Sequence, residues 1–311
     1  MRQLYNRRDI HGSGRRLKMK LFITGAGGFI GGALMARCGK DNLDYVAVDI
    51  ADGSAANYRK ADIGSKDIAD LIPENTDAVI HLAALSRDPD CKNKGYECFN
   101  TNVMATLNMI DAAEKRKAKQ FIFASTEWVY GSFAEDEVKD EETSIDITLL
   151  DSEYALSKLV SEQNLRQKYN HGFCPVTILR FGIIYGARKQ NWSAVESIFN
   201  MVKTKEEVKT GSRKTGRCFI YVSDIVSGII KAIGLDGFNV LNLQVDGLIT
   251  LGDVIETSKS VLGKDVKVTE TNPDSPNIRN VSNRKAKEVL KWRPEVDLKT
   301  GLMKLNEVLS E

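Results

Sequence analysis

Lys20-Leu21-Phe22-Ile23-Thr24-Gly25-Ala26-Gly27-Gly28-Phe29-Ile30-Gly31-Gly32 is a short apolar run that breaks into glycines and resumes as a helical stretch. It reads as a strand turning tightly into a helix. Such a turn leaves backbone N–H groups unpaired and points the positive end of the helix dipole outward, which suits a pyrophosphate. The glycines permit the turn, the close approach of backbone to phosphate, and the packing of helix on strand. Their spacing, Gly25, Gly28 and Gly31, is G-x-x-G-x-x-G rather than G-x-G-x-x-G. Asp49 ends the next apolar run eighteen residues after Gly31. A carboxylate there accepts both hydroxyls of a ribose and repels a 2′-phosphate. Together these residues predict a dinucleotide site that prefers NAD to NADP.

The same rhythm continues outward. Residues 45–49, 77–83, 120–124 and 176–181 read as strands, and 28–39, 96–117 and 153–169 as helices. Strands separated by crossover-length helices imply βαβ units, a parallel sheet and the α/β class. Runs without alternation, such as Phe121-Ile122-Phe123, suit strands covered on both faces. After Gly182 the rhythm loosens into glycines, prolines and polar loops, and the acidic stretch 135–142 reads as a solvated loop.

The 311 residues are 42% hydrophobic and 28% charged, ample for a full core. Basic residues number 44 against 42 acidic ones, a formal charge of +2. Residues 1–20 hold seven basic side chains and one acid, so the remainder is net −4. A basic nucleic-acid-binding face therefore loses its support. His11, His81 and His171 are too scattered for a metal site or a Ser-His-Asp arrangement, and no metal is expected. Five dispersed cysteines without C-x-x-C indicate neither a disulfide framework nor a zinc knuckle. With no apolar run near the ~18 residues of a membrane span and no secretory signal, a cytoplasmic protein is expected. Residues 1–18 read as a disordered extension or expression remnant outside the fold.

Tyr154 and Lys158 stand at i and i+4, so a helix there sets phenol and ammonium on one face. Bringing a phenol from its reference pKa of ~10 to near 7 requires ~4 kcal/mol. A neighbouring lysine charge and a cationic nicotinamide ring together supply it. Tyr185 and Lys189 repeat the spacing but follow a strand and enclose Gly186, so that pair is set aside. The chosen pair follows a strand ending Ala124-Ser125-Thr126, whose hydroxyls fall at the C-terminal edge of the sheet, where such folds bind ligands.

Residues 24–32, 62–63, 81–84, 102–113, 121–131, 154–158, 179–186 and 211–224 occur in the order seen in extended short-chain dehydrogenases/reductases. Over residues 20–310 the chain resembles their NAD-dependent epimerase/dehydratase branch. The resemblance implies a Rossmann-type doubly wound parallel sheet over residues 19–181, to which parts of 217–245 return. It implies a small C-terminal α/β substrate domain from 182–216 and 246–311, NAD as cofactor and a nucleotide-diphosphate sugar as substrate. A homodimer built by pairing two long helices belongs to the same picture. Carried over by position, Gly25, Gly28, Phe29, Ile30, Gly31 and Asp49 would hold the cofactor, with Asp62 and Ile63 flanking its adenine. Leu82, Ala83 and Ala84 would line it, and Asn102 would lie toward the nicotinamide. Tyr154 would be the acid/base, Lys158 its activator and a ribose ligand, and Thr126 the partner of the sugar hydroxyl being oxidised. Arg217 would clamp the substrate pyrophosphate, Arg279 would be a second clamp, and Ser86 would contact substrate.

Three departures bear on the substrate. Ile183 stands where 4-epimerases of the family carry an asparagine that touches the sugar, with Arg188, Asn191 and Trp192 just beyond. The loop Leu85-Ser86-Arg87-Asp88-Pro89 is unusually charged, with Arg87 and Asp88 expected to pair. Trp128 occupies the position of the carboxylate that family dehydratases use to take the C5 proton, and an indole N–H has no lone pair for a proton. Glu127, one position earlier, reads as a local acid, a loop cap or the partner of a lysine. His81 reads as a satisfied strand-end histidine and Trp292 as a packing anchor. The expected activity is a nucleotide-sugar 4-epimerase acting by transient oxidation at C4. A C4 dehydrogenase or 4-keto reductase, a 4,6-dehydratase and a non-catalytic NAD-binding regulator stand as alternatives.

Overall fold

The computed structural model describes residues 19–134, 136–188 and 190–309; residues 1–18, read above as an extension, lie outside the described residues. β1 (Lys20–Thr24), β2 (Asp44–Asp49), β3 (Tyr58–Lys60), β4 (Ala78–His81) and β5 (Phe121–Thr126) join the strands Val176–Phe181 and Phe238–Leu243 in one parallel sheet. Its order is Phe238–Leu243, Val176–Phe181, β5, β4, β1, β2, β3. The strand order reverses between β1 and β4, which pair in parallel with Thr24 opposite His81. The crevice at such a reversal is the ligand site of doubly wound folds.

Every residue of β5 and of Val176–Phe181 is buried, as unalternating apolar runs require when both faces are covered. One face carries Leu34 and Cys38 of α1 (Phe29–Lys40) with Ile225, Ile229 and Trp292. The other carries Met109, Ile110 and Leu165 from the helices Ala105–Lys115 and Glu153–Asn170. A third apolar cluster, with Phe199, Ile255 and Leu302, gathers the helices Ala194–Thr204, Leu251–Leu262 and Leu298–Leu309 beyond the sheet. No helix among the described residues is long and apolar enough to cross a membrane.

Several local expectations need correction. The long helix expected at 96–117 is interrupted: Gly95–Phe99 and Ala105–Lys115 are joined by a π-helical turn, Asn100–Met104. That wide turn frees the Asn102 carbonyl, which accepts hydrogen bonds from the hydroxyls of Thr106 (2.7 Å) and Ser161 (2.8 Å). Cys91 and Cys98, expected to be separate thiols, are disulfide-bonded; two short helices bring their Cα atoms to 5.1 Å. Glu141 of the acidic loop does more than face water. Its carboxylate accepts the Asn242 N–H at 2.6 Å, anchoring the loop to the edge strand.

Candidate functional site

The glycine turn lies at the surface. Gly27 and Gly28 are exposed, Gly28 begins α1 as its N-cap, and Gly25 takes φ +71°, a left-handed conformation suited to glycine. A Cβ on Gly25 would stand 2.6 Å from the Ala83 nitrogen, and one on Gly31 2.2 Å from the Gly25 carbonyl oxygen. The turn thus packs against the end of β4, where the Thr24 hydroxyl accepts the Ala83 N–H at 3.2 Å. Asp49, at the end of β2, accepts Gly27 N–H and Ala51 N–H on different oxygens, both at 3.0 Å. Each oxygen keeps accepting capacity for a ribose hydroxyl. The exposed start of a helix beside a carboxylate with accepting capacity to spare fits a dinucleotide. Phe29, Ile30, Leu82, Ala83 and Ala84 are half-buried around this turn, Ile63 is buried, and the exposed Asp62 closes a small turn on Gly64 N–H.

Thr126, Tyr154 and Lys158 come together at the C-terminal edge of β5, all buried. Ser152 caps the tyrosine's helix by accepting Ala155 N–H, and its own hydroxyl donates to Asp88 at 2.5 Å. Lys158 donates to the Ala124 carbonyl at 2.8 Å and lies over the Phe123 ring, 4.7 Å from its centroid. Burial pushes the Tyr154 phenol up to about 12, opposed by its interaction with the Thr126 side chain. Burial likewise pushes the Lys158 ammonium down to about 7, against the pull of Glu162. The lysine sits where a proton is held or released near neutrality. The phenol is a weaker acid than in water.

Asn102 is buried and fully committed. Its amide accepts Leu85 N–H at 2.8 Å and donates to the Leu85 carbonyl and the Ser157 hydroxyl, both at 3.0 Å. It pins the loop after β4 to two helices. His81 is likewise satisfied, between the Thr24 hydroxyl (2.7 Å) and the Thr106 hydroxyl (3.0 Å), and burial holds it neutral, down to about 3.

Arg217 and Arg279 are far apart in sequence but adjacent in space, because residues 216 and 278 bridge and Arg279 N–H donates to the Gly216 carbonyl at 3.1 Å. Arg279 is buried, lies over the Trp128 ring at 4.5 Å, and its Nη1 has no hydrogen-bond partner. It also lines a cavity of about 190 Å³ with Ser132, Phe133, Asp151 and Asn277. Arg217 donates to the carbonyls of Gly216 and Asn277. Burial, and then the charge of Arg279, lower its pKa. Facing both is Glu127, fully buried, with neither oxygen hydrogen-bonded. It neither caps a loop nor pairs with a lysine. Burial pushes it up to about 7 against the pull of Arg279 and Arg217.

Other sequence expectations fare differently. Arg87 pairs with Asp90 (2.5 Å) rather than Asp88, since Arg87 is the N-cap of the short helix Asp88–Cys91 and Asp90 lies three residues along, and Ser86 is exposed. Arg188, just beyond Ile183 in the sequence, is engaged by the buried Glu196 at 2.8 Å. The Trp192 indole donates to the Arg188 carbonyl at 2.8 Å. Trp292 is the packing anchor expected, fully buried and donating to the Asp224 carbonyl at 3.1 Å.

The sequence profile of the NAD dependent epimerase/dehydratase family matches residues 21–242. The chain is similar to UDP-glucuronic acid decarboxylase 6 of Arabidopsis thaliana, 29% identical over 304 residues that cover 93% of this chain and 88% of the relative. It is also similar to the solved UDP-glucuronic acid 4-epimerase of Bacillus cereus in complex with UDP-glucuronic acid and NAD. That likeness has a TM-score of 0.80 and 25% identity, covering 94% of this chain and 99% of the other. The UDP-glucose 4-epimerase of Thermotoga maritima shares the fold, with a TM-score of 0.82 and 23% identity over 94% of this chain and 99% of its own.

Proposed function

Because the chain belongs to the NAD dependent epimerase/dehydratase family, we propose that it is a nucleotide-sugar 4-epimerase acting through Thr126, Tyr154 and Lys158. One observation carries this reading. At the C-terminal edge of the sheet the Tyr154 and Thr126 side chains interact, and Lys158 donates to the Ala124 carbonyl of the same strand. NAD, when bound, supplies a hydride acceptor that returns the hydride, and a positive ring charge. The glycine turn and Asp49 would hold its phosphates and ribose, and Lys158 would hold the second ribose. Thr126 orients the C4 hydroxyl, and Tyr154 removes its proton and later returns it to the same oxygen, after the 4-ketose has turned over to take hydride back on its opposite face. Arg217 and Arg279 clamp the diphosphate, a task suited to a guanidinium fork. Burial raises what this mechanism asks: lowering the phenol from about 12 to near 7 requires roughly 7 kcal/mol. Lys158 and the ring charge must both contribute to that.

A second reading rests on the similarity to the plant decarboxylase. Oxidation at C4 of a uronic acid sugar sets a ketone β to the C6 carboxylate, which then leaves as carbon dioxide. Turnover of UDP-glucose and UDP-glucuronic acid, with products identified by NMR, separates the two. Inversion at C4 supports the epimerase, a pentose product replaces it with the decarboxylase, and no turnover of any nucleotide sugar defeats both. The same proposal includes a cytoplasmic homodimer that pairs the helical segment 95–115 with Glu153–Asn170 of each copy. The exposed side chains of Tyr96 and Met104 support that surface.

A further inference from the structure

Glu127 is the one feature of the arginine cluster that the proposed mechanism leaves unused. It directly follows Thr126 and opens the 3-10 turn Glu127–Tyr130. It is fully buried, and both carboxyl oxygens lack a hydrogen-bond partner. Such a group is costly to bury charged unless something pairs with it. The charged and titratable groups acting on it are the guanidiniums of Arg279 and Arg217, and the buried thiol of Cys218 beside Arg217. The Nη1 of Arg279 is itself unpartnered and buried. The cluster therefore holds two cations and one acid without direct pairing, with donor and acceptor capacity left over on each side. An anion that engages both arginines takes away the positive field that favours the Glu127 carboxylate and adds negative charge beside it.

We propose that Glu127 takes up a proton when the substrate diphosphate binds between Arg217 and Arg279, so that the neutral acid is the form that coexists with the bound anion. This rests on the reading of those arginines as the diphosphate clamp. As a neutral acid, Glu127 becomes an O–H donor to the ligand or to a water beside it; as a carboxylate it would stand unpaired against two phosphate charges. Linkage fixes the sign. Binding that takes up a proton weakens as pH rises, because the ionised enzyme must first be protonated. Burial already pushes Glu127 up to about 7 without ligand, so the effect falls within the physiological range.

The test uses NAD-saturated protein carrying Tyr154→Phe, so that turnover adds no heat. Titrating it with UDP-glucose in buffers of differing ionisation enthalpy counts the protons bound, and the diphosphate of this ligand has no group titrating near neutrality. The expected result is uptake of about half a proton per ligand at pH 7, with affinity falling roughly tenfold or more from pH 6.5 to 8.5. Adding Glu127→Gln, which keeps the shape without the titration, should abolish the uptake and flatten the profile. UDP-glucuronic acid should give the same uptake as UDP-glucose. Uptake seen only with the uronate would assign the proton to recognition of the sugar carboxylate and overturn the proposal. So would binding without uptake, or uptake that survives Glu127→Gln. Those results leave the nucleotide-sugar reading standing, whereas failure of both ligands to bind removes that reading and this one together.

Discussion

At the scale of single residues the site is defined by side chains held in states that water would not favour. Tyr154→Phe removes one oxygen from a buried ring, so turnover should fall by 10² to 10⁴-fold, in the range of a lost general base. Affinity for NAD should stay within about twofold, since the proposed dinucleotide contacts lie mainly in the glycine turn and Asp49. Steady-state kinetics and a fluorescence titration of NAD check both, and near-normal turnover would remove Tyr154 from the chemistry. Glu127 makes a complementary prediction in stability. Its pKa is raised in the folded chain from 4.5 to about 7, so its stabilising contribution is complete below 4.5 and is lost as pH rises toward 7. At pH 8 the buried carboxylate costs the fold roughly 3 kcal/mol, and Glu127→Gln should recover much of that. Urea unfolding of both proteins at pH 4 and pH 8 reads it out, and an equal difference at the two pH values would contradict it. A residue that lowers stability while facing two arginines is the pattern expected where function has been favoured over stability.

At the scale of elements, the turn from β1 into α1 offers an internal control. Gly31 and Gly32 are neighbours in one helix, yet a Cβ on Gly31 would meet the Gly25 carbonyl oxygen at 2.2 Å, while one on Gly32 meets nothing within 4 Å. Gly31→Ala must move backbone, so it should cost more than about 2 kcal/mol and weaken NAD binding at least tenfold. Gly32→Ala should instead stabilise by roughly 0.5–1 kcal/mol, because alanine loses less freedom in a helix. Thermal denaturation with and without NAD distinguishes the two, and similar effects at both positions would contradict the close packing. The turn was legible in sequence because glycine spacing writes its sterics directly. The π turn at Asn100–Met104 was not, because part of what stabilises it is tertiary: the Ser161 hydroxyl, from another helix, joins that of Thr106 at the Asn102 carbonyl. Glu127 was visible as an acid directly after a buried apolar strand. Its lack of a partner depends on Arg217 and Arg279 arriving from residues far along the chain.

For the whole molecule, the strand and helix alternation carried the sheet, since buried parallel strands and crossover helices leave strong patterns along the chain. The convergence of Arg217 and Arg279 entered only through the family resemblance, and the Cys91–Cys98 disulfide left no pattern, because the packing of two short helices makes it. The proposed assembly lies at this scale too. Tyr96 is 83% exposed and Met104 58% exposed, on the segment that packs beside Glu153–Asn170. Single exposed apolar side chains need no explanation, but two on one surface segment beside a long helix suit a paired helical interface. A stable dimer requires roughly 1,200–2,000 Å² of total buried area, which two helices from each copy can provide. Sedimentation equilibrium should therefore return twice the 34.5 kDa chain mass. Tyr96→Glu with Met104→Glu should shift it to monomer by placing like charges across the two-fold axis. Asn102, on the same segment, also fixes the Leu85 loop, so loss of the dimer should reduce turnover as well as mass if this surface supports the site. A monomer in the unmodified protein at micromolar concentration, or a dimer unaffected by both charges, would rule out this pairing.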